Sequence, residues 1–149
     1  LEHLFRAYWP RAFRAARLVT GDDAAAEDIA QEAFLAAVRN LDRFDRRRPF
    51  GPWLHRIVVN RAIDWTRSRR LRSEVELADE LPAPPAAEDD GAVFARIGEL
   101  SAEHRAVIVL RYVLEYTPGE IAELLDLPRG TVNSRLRRGL DRMKDGHDA

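Results

Sequence analysis

Asn133 and Arg137 lie one helical turn apart and carry the side chains that best match base edges. An Asn amide pairs with adenine N6 and N7, and a guanidinium pairs with guanine O6 and N7. Thr131 and Ser134 could bond a phosphate or a base edge, while Arg129, Arg135 and Arg138 suit the backbone. A second constellation is Arg56, Asn60, Arg61, Asp64 and Arg67, with Phe50 and Trp53 just ahead. Aromatic rings beside Arg and Asn suit unpaired bases, which offer a stackable face and a free Watson-Crick edge. Trp53 and Trp65 fall at helical spacing and equally suit a core, as do Phe44 and Phe50 in part. A third set, Asp28, Gln31, Glu32, Leu35 and Arg39, forms a polar stripe at helical spacing. Its acidity disfavours DNA and permits a protein partner; as bare chemistry it is also an ordinary solvated helix face.

The elements that must carry these residues are helical. Leu4, Phe5, Tyr8, Trp9, Ala12, Phe13 and Ala16 recur at a helical period that ends at Thr20-Gly21-Asp22. A second amphipathic helix follows through Ala26, Ile29, Ala30, Ala33, Phe34, Ala37, Val38 and Leu41, with Asp22 or Asp23 available as its cap. Beyond a loop with Pro49 and Pro52, a third helix runs through Trp53, Leu54, Ile57, Val58 and Trp65 to about Arg70. Four more are expected over residues 90–99, 102–115, 118–125 and 128–143. Thr117-Pro118-Gly119-Glu120 joins an N-cap hydroxyl, proline in the first turn and a capping-box Glu. The next helix starts only three residues after that one ends, which is the helix-turn-helix pattern. Ile121, Ala122, Leu125, Val132 and Leu136 form its inner face. No stretch alternates with period two, so the fold class is all-α: two small helical domains joined by a flexible acidic linker, the second containing the helix-turn-helix.

Charge is segregated along the 149 residues although the net charge is only -1. Residues 42–72 hold ten Arg against three Asp, residues 74–90 hold seven acids and no base, and residues 129–144 hold six bases against Asp141. Two basic surfaces for a polyanion, separated by a spacer that repels it, are the implied layout. The boundaries expected are 1–72, a linker at 73–91, and 92–149. Cysteine is absent and the four histidines are scattered, so no metal or cofactor site is expected. No phosphate-cradling glycine loop or paired nucleophile and base suggests an enzyme. Without a long apolar run or a signal-peptide pattern at Leu1, a cytoplasmic chain is expected.

Three runs together resemble a known family: Asp28-Ile29-Ala30-Gln31-Glu32-Ala33-Phe34, then Phe50-x-x-Trp53-Leu54-x-Arg56-Ile57-x-x-Asn60, then Gly130-Thr131-Val132-x-Ser134-Arg135. In this order, and around an acidic linker, they look like a bacterial sigma factor of the sigma-70 family. These runs resemble only its second and fourth conserved regions, which is the layout of the extracytoplasmic-function (ECF) group. The resemblance implies that Asp28, Gln31, Glu32, Phe34, Leu35 and Arg39 dock on core RNA polymerase. It implies that the third helix and the loop before it, with Leu41, Asp42, Phe44, Ile57 and Asn60, read a minus-10 element and hold a flipped base. Phe50, Trp53, Arg56, Arg61, Asp64 and Arg67 would share that surface. The helix-turn-helix would read a minus-35 element, and an anti-sigma factor would control the whole and supply any link to a membrane. Three positions depart from relatives. Trp53-Leu54 stands where housekeeping members have paired tryptophans, which fits the ECF group, Asn133 stands where many relatives have Lys or Arg, and Gly139 sits mid-helix at a cost of roughly 1 kcal/mol relative to Ala. The other reading of the residues is a free-standing helix-turn-helix regulator with an N-terminal sensing or dimerisation domain.

Overall fold

The computed structural model describes residues 2–41, 49–76 and 91–148, with only the backbone course given for 73–76 and 145–148. Asp42 and Phe44, and linker residues 77–90, lie outside the described residues. Among the described residues there are seven α-helices and no strand.

The first three helices, α1 (Glu2–Thr20), α2 (Asp23–Arg39) and α3 (Phe50–Glu76), form one bundle. Ala12, Ala15, Ala16, Ala26, Ala33, Ala37 and Ala62 are buried where these helices meet, and such small side chains allow close backbone approach. Leu18, Val19, Ile29, Leu54, Val58 and Val59 fill the space between them. The α1–α2 corner is fixed by local chemistry. Gly21 takes φ +71°, a conformation that favours glycine, and its N–H closes on the Arg17 carbonyl at 2.8 Å. Of the two candidate caps, Asp22 serves: its carboxylate accepts from the Ala25 N–H at 2.9 Å. The third helix runs past the expected Arg70 to Glu76, four residues into the stretch assigned to the linker.

The second module holds α4 (Gly91–Ile97), α5 (Ala102–Ile108), α6 (Pro118–Leu125) and α7 (Arg129–Asp148). The expected single helix over 102–115 is not regular. After Ile108 it widens into a π-turn over Val109–Val113, with the Leu114 N–H bonding the Val109 carbonyl at 3.0 Å and the Tyr116 N–H reaching Leu110 at 2.9 Å. Glu115, at φ +64°, then ends the segment in a left-handed conformation that side-chain periodicity does not announce. The capping box at Thr117 and Glu120 is present with both of its bonds, at 3.2 and 2.9 Å. Asp126 closes α6 in the left-handed region, and α7 starts one residue after Pro128.

Gly139 has a packing reason. A Cβ built there would lie 3.2 Å from Ile108 Cγ1 and 3.3 Å from its Cδ1, so α7 lies against α5 at a distance that suits glycine. The propensity cost noted above is offset by that close packing.

The two modules are not apart. The ends of α1 and α3 pack on α4, α5 and α6, and the buried apolar residues of both modules form one continuous cluster.

Candidate nucleic-acid interface

On α7 the capping of α6 and the tight turn fix which residues face outward. Val132 and Leu136 are buried against Ile121 and Leu124, so the opposite face carries the polar set. Of the expected inner-face residues, Ala122 and Leu125 are only half-buried, and Leu124 takes the deeper place. Arg129, Asn133, Arg137 and Arg138 are exposed, and Thr131, Ser134 and Arg135 are half-buried beside them. This arginine face makes a positive field that reaches α5. The His104 pKa is lowered, first by burial and then by the charge of Arg135, with Arg138 and Arg142 adding to it.

On α3, Arg56, Asn60, Arg61, Asp64 and Arg67 are exposed, as their spacing requires. The aromatic residues ahead of them are less available. Phe50 is buried, in edge contact with Trp53 at 5.8 Å and Tyr8 at 5.1 Å; Trp53, Ile57, Trp65 and Leu41 are half-buried against the core. Arg61 reaches across to α2, where Glu32 accepts at 2.8 Å. The acidic stripe and the arginine face therefore touch at their border.

On α2, Asp28, Gln31, Glu32, Leu35 and Arg39 are exposed, with Leu35 at 55% of its full area. Phe34, expected among the docking residues, is buried at 8% and packs on Phe5 and Trp9 of α1, because it faces inward with Ala30 and Ala37. Its place is therefore in the core, beneath the stripe.

Several polar residues that the sequence reading left aside sit where the modules meet. Arg105, only 7% exposed, donates from Nε to the Leu100 carbonyl at 2.9 Å, from Nη1 to Val19 at 2.8 Å and from Nη2 to Gly98 at 2.6 Å. It thereby caps the C-terminal end of α1 from the other module, where the helix dipole favours a cation. Burial lowers its pKa to about 10, with Arg70 contributing, so it stays charged at neutral pH. Arg70 donates to the Leu100 carbonyl, and Arg67 pairs with Glu103. Arg17 bonds Asp23 at 2.6 Å and lies 5.0 Å over the ring of Phe94.

His55 and Tyr116 complete the junction, with Nδ1 and the hydroxyl 2.7 Å apart and His55 Nε2 buried without a partner. Burial, with the nearby charge of Arg11, lowers the His55 pKa to about 4, and burial raises that of Tyr116 to about 12. Both side chains are neutral at physiological pH. A signal for these residues existed: Arg105 shares an inner face with Ala102 and Val109, and His55 sits between Leu54 and Val58. Among the described residues, no group of three or more His, Asp or Glu is placed to hold a metal, and no helix is long and apolar enough to cross a membrane.

Comparison with known proteins matches residues 4–72 to Sigma-70 region 2 and residues 91–143 to Sigma-70, region 4. The chain is similar to ECF RNA polymerase sigma factor SigW of Bacillus subtilis, at 33% identity over 92% of this chain and 83% of SigW. It is also similar to SigL of Mycobacterium tuberculosis, at 38% identity over 83% of this chain and 75% of that protein. Among solved structures, the sigma factor RpoE in complex with the anti-sigma factor NepR, from Bartonella quintana, superposes with a TM-score of 0.80 at 21% identity, covering 97% of this chain and 94% of RpoE. CnrH in complex with the cytosolic domain of CnrY gives 0.74 at 27% identity, covering 99% of this chain and 86% of CnrH.

Proposed function

Because the chain belongs to the ECF group of the bacterial sigma-70 family, we propose that its two modules divide promoter recognition as the family's layout implies. The first module, residues 1–72, binds core RNA polymerase through Asp28, Gln31, Glu32, Leu35 and Arg39 and engages the minus-10 element through α3 and the loop before it. The second, residues 92–149, reads the minus-35 element with the outer face of α7, and residues 73–91 join them. The observation that carries this reading is the pairing of two exposed arginine-bearing helix faces, on α3 and α7, with one exposed acidic stripe on α2. The arginine faces suit phosphate and base edges, and the stripe suits a protein.

Opening a duplex costs a few kcal/mol per unstacked step, and holding one extruded base offsets part of that. The half-buried Trp53 and Ile57 beside exposed Arg56 and Asn60 supply an apolar edge and a polar rim for such a base. The chain acts as a specificity subunit in the cytoplasm, without catalytic groups of its own. NepR and CnrY, bound to two of its structural relatives, support an anti-sigma factor as a further partner here, and membrane contact would come only through that partner. The whole-chain likeness to sigma factors displaces the free-standing regulator, whose N-terminal module would not need to resemble region 2.

Incubation with core polymerase tests the proposal. Co-elution with core and transcripts starting at a discrete set of promoters are expected. Failure to co-elute together with absence of promoter-dependent transcripts would sink it, and a stable dimer on a palindrome would point to the regulator instead.

A further inference from the structure

The exposed side of α3 is bordered by arginines that the fold has already committed. On the border with α2, Arg61 donates to Glu32 at 2.8 Å. Arg69, two turns on, donates to Asp22 at 2.8 Å and lies 5.2 Å over the ring of Trp65. Positions 61, 65 and 69 repeat every four residues, so they form one row turned towards α2. On the other border Arg67 pairs with Glu103. Between the borders lie exposed Asn60 and Asp64, one helical turn apart. Arg61 and Arg67 stand three residues before and after Asp64, a spacing at which ion pairs form on a helix. Both have turned instead to carboxylates on other helices. Among the described residues Asp64 makes no hydrogen bond or ion pair.

An unneutralised carboxylate in the middle of a face offered to DNA is repelled by phosphate, and it gains only by meeting a donor. Ionised Asp accepts and never donates. In the major groove guanine N7 and O6 and thymine O4 are acceptors, and adenine sets its N7 acceptor beside its N6 amine. Cytosine offers its N4 amine alone, so it is the base edge that a carboxylate meets without opposition. Asp64 also lies about 10 Å along the helix from Ile57. The extruded base assigned to Trp53 and Ile57 is therefore not the one it faces; it faces the paired DNA alongside.

We propose that Asp64 is a specificity residue of the minus-10 surface, accepting from the N4 amine of a cytosine in the paired edge of that element. The ion pairs of Arg61 and Arg67 leave its carboxylate free for this. The inference rests on the minus-10 role proposed above for α3 and names the base chemistry that one of its residues selects.

Core polymerase carrying the full-length chain, transcribing a promoter library randomised across the minus-10 region, reads the preference directly. The unmodified chain is expected to enrich a C·G pair, in one orientation, at one position. Asp64→Asn keeps the shape of the side chain but adds a donor, which suits adenine N7 beside N6. At that position the ratio of cytosine to adenine should fall by roughly tenfold. Asp64→Ala should leave the position indifferent while the other positions keep their preferences. The Asp64→Asn shift should persist in an Arg67→Ala background, since the carboxylate meets the base itself. The position is exposed on a helix, so the variants are expected to keep their helical circular dichroism.

Unchanged preferences in both Asp64 variants overturn the proposal, as does stronger transcription from all sequences alike, which would make Asp64 a repelling charge and nothing more. A shift that vanishes with Arg67 overturns it too, because Asp64 would then act by orienting its neighbour. The two readings fail differently. Absence of any promoter-dependent transcript from the unmodified chain removes the sigma reading and this role together, whereas transcription whose base preference ignores Asp64 removes this role alone.

Discussion

Arg137 and Arg138 are neighbours on one exposed face, and the geometry of a helix lying in a groove assigns them different work. Arg137, a turn from Asn133, is placed for bases, and Arg138 for the backbone. Replacing Arg137 with Ala is expected to change base preference across a minus-35 library. Replacing Arg138 with Ala should weaken all sequences alike and reduce the salt slope of binding by about one; identical profiles for the two would refute the assignment. Gly139 is the next residue and answers to packing alone. Ala there gains roughly 1 kcal/mol of helix propensity. Its methyl, however, meets the buried Ile108 at 3.2 Å, and overpacking of that kind costs typically 1–3 kcal/mol. Gly139→Ala should therefore lower the unfolding midpoint, by about 1 kcal/mol in denaturant melts, and Ile108→Val in the same chain should recover part of the loss. An unchanged or raised midpoint would show that α5 yields easily at this contact.

At the scale of elements, α6 depends on its cap. Thr117 receives the Glu120 N–H at 3.2 Å, and losing that acceptor in Thr117→Ala should cost about 1 kcal/mol and loosen the start of the helix-turn-helix; urea melts and minus-35 affinity should fall together. How the elements could be read from the sequence follows the range of the forces that make them. The α6–turn–α7 unit was legible because its signals, a capping box and a three-residue break, are local. The apolar faces of α1, α2 and α3 were legible from period alone, as was the exposure of Arg56, Asn60 and Arg61. The π-turn at Val109–Val113 was not, since nothing in its run of Val, Leu, Arg, Tyr and Val interrupts a helical period. The period of α2 put Phe34 on the apolar face with Ala30 and Ala37, where it is buried, although the family resemblance had also put it among the docking residues. The junction was the least legible part. Arg105 and Val19 are 86 residues apart, and His55 and Tyr116 are 61 apart, so no local pattern ties them.

For the whole molecule, the docking stripe and the junction make separate demands. Gln31→Ala with Leu35→Ala should weaken association with core polymerase while leaving duplex binding by the full-length chain unchanged; parallel loss of both would contradict the division of labour. Glu32 is the wrong residue for that test, because its removal would free Arg61. Acidity should act on folding stability through His55. Since the folded-state pKa of His55 is about 4, below its ordinary 6.5, unfolding takes up a proton between those values. This contribution to folding stability is thus fully present above pH 6.5 and falls by up to about 3 kcal/mol as pH drops towards 4. The groups acting on the ring are the Tyr116 hydroxyl and Arg11 of α1, with Glu120 and Tyr8 acting on Tyr116. His55→Gln should flatten that part of the profile in urea melts taken across this pH range, and an unaltered profile would exclude His55 as its source. Arg105 behaves differently from all of these, because its three acceptors are carbonyls and not carboxylates. Counterions screen exposed ion pairs and strip proteins from DNA, but they hardly weaken a buried bond between a guanidinium and a peptide dipole. Raising the ionic strength should consequently weaken duplex binding while leaving this bond between the modules in place.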